Sequence, residues 1–338
     1  MNTMLDIITI GTVTRDVFVT SELFKVLRDK EHLEKIGFKT GEAECFALGS
    51  KIQIDEPIFS FGGGAHNTAI TFARQGFKTG IIAKVGNDLS GKEFLAHLKI
   101  EKIKPLLSYD KKTGTGYSVV LLTPGGERTI LVYRGASEKF SRKDASLKKI
   151  RAKWAYISPG EVSFSVMSDI ISELRKNGTN IAINPSKHYL NMKHSQIEPL
   201  LNKTNAVFVN REEASCLTGE PYDKERKIFR AFDEMIDGIA VVTDGSKGAT
   251  VSDGKFIYRS GVFKEKKLTD RTGAGDAFAS GFISGLMRKE NDICYALRLA
   301  AANATSVVET VGASDGALTA QQFSSKRWKY LNLDVEPF

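Results

Sequence analysis

Cysteine is scarce: Cys45, Cys216 and Cys294 are three in 338 residues. Their odd number and wide spacing supply neither a disulfide framework nor a metal-binding motif, and a reducing, cytoplasmic setting is the expectation. Long apolar runs are also missing. The apolar start at Ile7–Ile10 follows Asp6 without a basic flank, and no window approaches the ~18 apolar residues of a membrane span, so neither a targeting signal nor a membrane partner is expected. The chain also lacks a concentrated basic arm. Lys and Arg number 48 against 40 Asp and Glu, a formal net charge of +8. The densest basic stretches, 102–112 and 139–153, carry no nucleic-acid reading motif or stacking aromatics and read as solvated surface. Nucleic acid is not expected as a partner; an acidic small molecule is.

What is present is ordinary globular composition, 41% hydrophobic and 26% charged, in a length that suits one large folded unit over 1–338. Apolar strands are expected at 6–12, 78–84, 154–158, 181–184, 206–209 and 239–243. Helical patterns at 65–74, 90–98, 164–176, 224–235, 274–287 and 292–310 fall between or after them, and 22–35 is helix-compatible. This alternation predicts an α/β fold with a mostly parallel central sheet flanked by helices. Two stretches break it. Phe46, Leu48, Ile52 and Ile54 alternate like a strand, and 116–122 with 129–133 read as a hairpin around Pro124-Gly125-Gly126. Together they predict a small β-sheet lid built from about 15–61 and 110–135, since a cleft for a water-sensitive reaction gains from closure.

The stretch Asp270-Arg271-Thr272-Gly273-Ala274-Gly275-Asp276 lies where a loop becomes a helix. Small residues there leave backbone N–H groups open, so Gly273, Ala274 and Gly275 form a phosphate cradle. Asp276 at its edge reads either as a helix cap or as a base that takes a proton from an attacking hydroxyl. A second glycine run, Gly62-Gly63-Gly64 with His66 and Asn67, also opens a helix and suits a polyhydroxyl ligand, although a tight turn needs the same glycines. His66 is expected to pack rather than to touch substrate.

Together these segments resemble the ribokinase-like, phosphofructokinase-B type carbohydrate kinases over nearly the whole chain. Gly62 to Gly91 is similar to that family's N-terminal signature and Asp270 to Asp276 to its C-terminal one. The resemblance implies an ATP-dependent sugar kinase of ribose, fructose or ketodeoxy-sugar type. In it Asp276 is the catalytic base and Gly273–Gly275 the anion hole, while Asp16, Gly63, Gly64 and Asn67 contact the substrate, with Glu161 added for its place at a strand end. It further implies that Asn210 and Glu213 place Mg2+ through water, that Thr243, Gly245 and Gly248 border the nucleotide phosphates, and that Asn303 lies beside the adenine. Asp270 and the Val311-Gly312-Ala313 turn correspond to a K+ site of some relatives.

Arg271 departs from the family pattern, and the stretch from Asp16 to Gly62 is longer than in compact relatives. A nucleoside kinase, with Phe46, Phe59 and Tyr117 against the base, is the alternative. A kinase of phosphorylated sugars would use Arg15, Lys51 or Arg134, and a non-catalytic ligand sensor is a third reading. Apolar strands in the lid predict a homodimer through it.

Overall fold

The computed structural model describes residues 4–38, 41–123, 128–145, 147 and 150–338. Its centre is a ten-stranded sheet. Seven strands run parallel: β1 (Leu5–Gly11), β6 (Thr79–Gly86), β7 (Lys104–Asp110), β10 (Ala152–Ser158), β11 (Asn180–Ile183), β12 (Ala206–Asn210) and β13 (Ile239–Thr243). Three antiparallel strands, β14 (Ala249–Ser252), β15 (Phe256–Ser260) and β16 (Leu333–Pro337), extend one edge, giving the order β16-β15-β14-β13-β12-β11-β10-β1-β6-β7.

The parallel strands are apolar because both faces are covered. Ile8, Ile10, Ile157 and Val207 pack with Met167, Ile170 and Phe229 on one side. Ile7, Tyr156 and Phe208 pack with Phe278, Phe282 and Leu299 on the other. On that second side the Ala274–Arg288 and Ile293–Val308 helices approach almost backbone to backbone. A methyl on Gly285 would stand 2.4 Å from Ala296 Cα, and one on Gly281 would stand 2.9 Å from Ala300 Cα. That close packing fixes the helix whose first turn carries Asp276.

A second, four-stranded sheet has the order β5-β2-β8-β9, from β2 (Thr14–Thr20), β5 (Ile58–Gly62), β8 (Gly116–Leu122) and β9 (Arg128–Tyr133). The expected hairpin is its β8–β9 pair; its Pro124-Gly125-Gly126 turn lies outside the described residues. Two expectations need correction. Phe46–Ile54 forms no strand: Gly49 takes a left-handed φ of 77° and Ser50 bonds back to Ala47, so a turn breaks the alternation and leaves Leu48 in solvent. The 22–35 stretch is helical only at Lys30–Lys35, because Lys25–Arg28 (β3) pairs with Glu42–Cys45 (β4) instead. The basic 102–112 stretch contains β7, an edge strand that begins at Lys104.

Candidate active site

Two helices begin at the carboxyl ends of β1 and β10, the place where open parallel sheets take ligands. Gly63, at φ 90°, opens the Gly64–Arg74 helix, and a side chain there would strike Thr12 O at 2.4 Å. Gly64 follows under the same constraint: a methyl would overlap Ser158 Oγ at 2.0 Å and stand 3.4 Å from Asp276 Oδ1. These glycines let the backbone pass between the strand end and the carboxylate. One turn on, the buried Asn67 donates from Nδ2 to Asp276 Oδ2 at 2.8 Å. Burial pushes the Asp276 carboxyl above its ordinary range, and the Asn67 bond opposes that rise.

Asp16 lies in the second sheet, at the middle of β2, paired with Ser60 and Ser118. It is buried, which raises its carboxyl, while the Thr14 and Ser118 hydroxyls and Arg15 pull it back. Asp16 Oδ1 is buried without a hydrogen-bond partner. A buried acceptor left open is costly, and a substrate hydroxyl would satisfy it. Gly62 is the residue that makes room, since a methyl there would fall 1.9 Å from Asp16 Oδ2. The glycine run therefore separates Asp16 on one side from Asp276 on the other.

Gly273 caps the Ala274–Arg288 helix in the left-handed region at φ 78°, where a side chain would meet Ala313 O at 2.0 Å. Gly275, by contrast, faces open space. Ala274 and Gly275 line a cavity of about 150 Å3 together with Thr243, Gly245 and Gly248, so the 273–275 loop and the 243–248 loop share one wall. Gly261, Val262, Phe278, Ala301, Ala304 and Thr305 complete the lining and were not foreseen. Alanines 301 and 304 with Thr305 share a helix face, a spacing that equally suits packing.

Asn303 was expected beside the adenine. It is fully buried, its Nδ2 donates to Thr71 Oγ1 and Ala277 O, and its Oδ1 accepts from Leu318 N, so its polar atoms bind neighbouring elements rather than the cavity. Asn210 stands opposite Thr243 at the end of β12 and caps the Arg211–Thr218 helix. Its Oδ1 accepts from Glu213 N at 2.8 Å, and Glu213 Oε2 accepts from Asn210 N at 2.8 Å. One oxygen of each is thus committed locally, and the second Glu213 oxygen is left for water. Among the described residues no group of three or more His, Cys, Asp or Glu could hold a metal by itself.

Asp270 is buried, with Oδ1 accepting from Thr272 N and Oγ1 and Oδ2 taking a long 3.3 Å bond from Gly312 N. Loop 270–273 and the 311–313 turn therefore adjoin. Glu161 is held by Arg134 at 2.8 Å, an ion pair between the loop after β10 and the end of β9. His66 packs, as expected: it is buried between Phe61 and Phe94 and its Nε2 lies 3.1 Å from His97 Nε2.

Comparison with known proteins gives this geometry its context. The model of the pfkB family carbohydrate kinases matches residues 30–320. The chain is 27% identical to a ribokinase of Mus musculus over 241 residues, 68% of this chain and 72% of that protein. It is 26% identical to a nucleoside kinase of Methanothermobacter thermautotrophicus over 255 residues, 74% and 79% of the two chains. Among solved structures, the ribokinase of Arabidopsis thaliana complexed with ribose and ATP superposes with a TM-score of 0.73 at 20% identity, covering 97% of this chain and 100% of that one.

Proposed function

The chain belongs to the pfkB family of carbohydrate kinases and is a phosphotransferase; from that premise we propose that it moves the terminal phosphoryl group of ATP to a hydroxyl of a sugar. The observation that carries this reading is the cavity shared by Ala274 and Gly275 with Thr243, Gly245 and Gly248, on the same first helical turn that carries Asp276. In the proposed step Asp276 accepts the hydroxyl proton as the sugar oxygen bonds to the γ-phosphorus. The bond from phosphorus to the β–γ bridging oxygen breaks and ADP leaves. Peptide N–H groups at Gly273–Gly275, of which Ala274 N gives Arg271 O only a long 3.4 Å bond, bind the charge that gathers on the transferred group. Asp16 Oδ1, Gly63, Gly64 and Asn67 hold the sugar, and Glu161 reaches it at the cleft margin.

Mg2+ would supply charge neutralisation at the phosphates, held through water by the free oxygen of Glu213 beside Asn210, a donor set of the hard oxygen type the ion prefers. K+ at Asp270 and the 311–313 turn belongs to the same proposal. The second sheet acts as the lid, with Arg134 and Glu161 joining its end to the body. The three cysteines are free, as a reducing cytoplasm would keep them.

A nucleoside acceptor is the second reading, supported by the nucleoside kinase among the relatives. Strand register weighs against its aromatic platform. Phe59 opposes Val17 and Tyr117 opposes Arg15, so both point away from the face that carries Asp16. Phe46 packs edge-on against Phe24 instead. A phosphorylated sugar finds less support, because Arg15 pairs with Glu93 and Arg134 with Glu161. An ADP-release screen across ribose, fructose, ketodeoxy sugars, sugar phosphates and nucleosides, with and without K+, tests the proposal. Turnover on a free sugar is expected; turnover on nucleosides alone would replace it with the second reading, and ligand binding without turnover would establish a sensor.

A further inference from the structure

At the far ends of the Gly64–Arg74 and Ala274–Arg288 helices a second cavity of about 400 Å3 opens. Arg288, which lines it, is twelve residues beyond Asp276 on one helix, roughly 18 Å at the helical rise per residue. The cavity is therefore separate from the cleft. Its lining includes three cations, Arg288, Arg298 and Lys329, and two hydroxyls, Ser324 and Ser325, and no carboxylate among the described residues.

Arg288 has a local explanation. It donates to Gln75 O at 2.6 Å, on the residue that ends the Gly64–Arg74 helix, and so answers the negative end of that helix. Arg298 does not. Its guanidinium lies beside the edge-to-face pair of Tyr295 and Phe323, 5.3 and 5.2 Å from their centroids, and gives Lys329 O a single bond at 3.2 Å. Its Nε is buried with no partner. A guanidinium that is held against aromatic rings, lines a cavity and is short of an acceptor is suited to an anion with several oxygens. Neighbouring Lys289 has its own acid, Asp292 at 3.9 Å; no ion pair engages Arg298 or Lys329 among the described residues.

We propose that this cavity is a second, non-catalytic site for a small phosphorylated molecule, with Arg298 and Lys329 as its charged contacts and the Ser325 hydroxyl as a further donor. Phosphate fits better than carboxylate because Arg298, Lys329 and the Ser325 hydroxyl line one concavity that holds no carboxylate among the described residues, more donors than a single carboxylate can occupy.

The chain provides its own reporter. It has two tryptophans, and one of them, Trp328, lines the cavity. In a Trp154→Phe background the emission of Trp328 is followed while the full chain is titrated with inorganic phosphate and with pyrophosphate, against sodium chloride at matched ionic strength. A saturable change is expected with pyrophosphate, tighter than with phosphate. Arg298→Met and Lys329→Met should each weaken it at least about tenfold, the worth of one charge-assisted hydrogen bond. Circular dichroism checks that each variant is folded, and Arg298→Lys, which keeps the charge but loses the fork, should retain only part of the affinity. Absence of a saturable change, its reproduction by chloride, or equal affinity in the folded variants would overturn the proposal. No step of this titration involves turnover, so its outcome is independent of the kinase reading.

Discussion

Asn67 Nδ2 lies 2.8 Å from Asp276 Oδ2, and this bond ties the first turn of the Gly64–Arg74 helix to the first turn of the Ala274–Arg288 helix. It also bears on the chemistry of the carboxylate. Burial pushes the Asp276 carboxyl above its ordinary range, more basic than a surface aspartate, and the bond donated by Asn67 opposes that rise.

Replacing Asp276 by Asn should lower turnover at least about 10²-fold, the usual share of a general base. The fold should survive, because the carboxylate loses a desolvation cost and the Asn67 bond has a neutral acceptor in its place. Steady-state kinetics and thermal unfolding on the same samples check both parts; near-normal turnover would remove Asp276 from the role.

Asn67→Ala tests the tuning rather than the base. The lost bond lowered the Asp276 carboxyl, so its removal raises it further, and the acid limb of kcat/KM should move to higher pH. A variant whose limb stays in place, with only KM changed, would make Asn67 a substrate contact and nothing more.

The glycines of the anion loop separate stability from activity. Gly273 is left-handed and would press a methyl against Ala313 O, so Gly273→Ala should cost about 1–3 kcal/mol in urea unfolding. Gly275 faces open space on the cavity wall, so Gly275→Ala should unfold like the wild type. Its methyl enters the room assigned to the phosphates, and turnover should fall on the order of ten- to a hundredfold, as for other small displacements in a reacting geometry.

Much of this was legible in the sequence, for physical reasons that can be named. Parallel strands covered on both faces read as unbroken apolar runs, as at Ile239–Thr243, and glycines that begin helices mark the two loops of the site. The remainder depends on contacts between distant residues. Asn303 differs from the cavity-lining Ala301 and Ala304 only in which helix face it occupies, and its polar atoms are drawn inward by Thr71 and Leu318. Strands β14, β15 and β16 escaped notice because each is short and the last pairs with β15 across some seventy residues. That Phe59 and Tyr117 oppose the Asp16 face follows from strand register, which appears only once β2, β5 and β8 are aligned.

His66 gives a pH prediction. With Asn67 Nδ2 committed to Asp276, Asn67 Oδ1 is the acceptor that faces His66 Nδ1 at 3.3 Å, so that nitrogen carries the proton and Nε2 accepts from His97. Burial, helped by His97, pushes the His66 ring from 6.5 down to about 3. A ring that protonates in the unfolded chain but not in the folded one contributes stability held above its unfolded pKa and lost as pH falls toward the folded value. Between pH 6.5 and pH 5 that loss is about 2 kcal/mol. His66→Phe, seated between Phe61 and Phe94, should lack this loss, and the gap between variant and wild type in urea unfolding should change by that amount. An unchanged gap would mean that His66 is hydrated in solution.

The outer face of the second sheet carries the prediction on oligomeric state. Phe59, Tyr117, Leu131 and Tyr133 share the side opposite Asp16 by register, and each is well exposed. A contiguous aromatic and aliphatic face of this kind on a monomer invites a partner, and we expect a second copy of the chain with its own sheet turned over. Leu131→Glu would bury a charge at that contact and should convert dimer to monomer in light scattering, while leaving Asp16, on the other face, undisturbed. A wild-type chain that stays monomeric at every workable concentration would refute the pairing. A Leu131→Glu monomer with full turnover would show that the sheet closes over substrate without help from its twin.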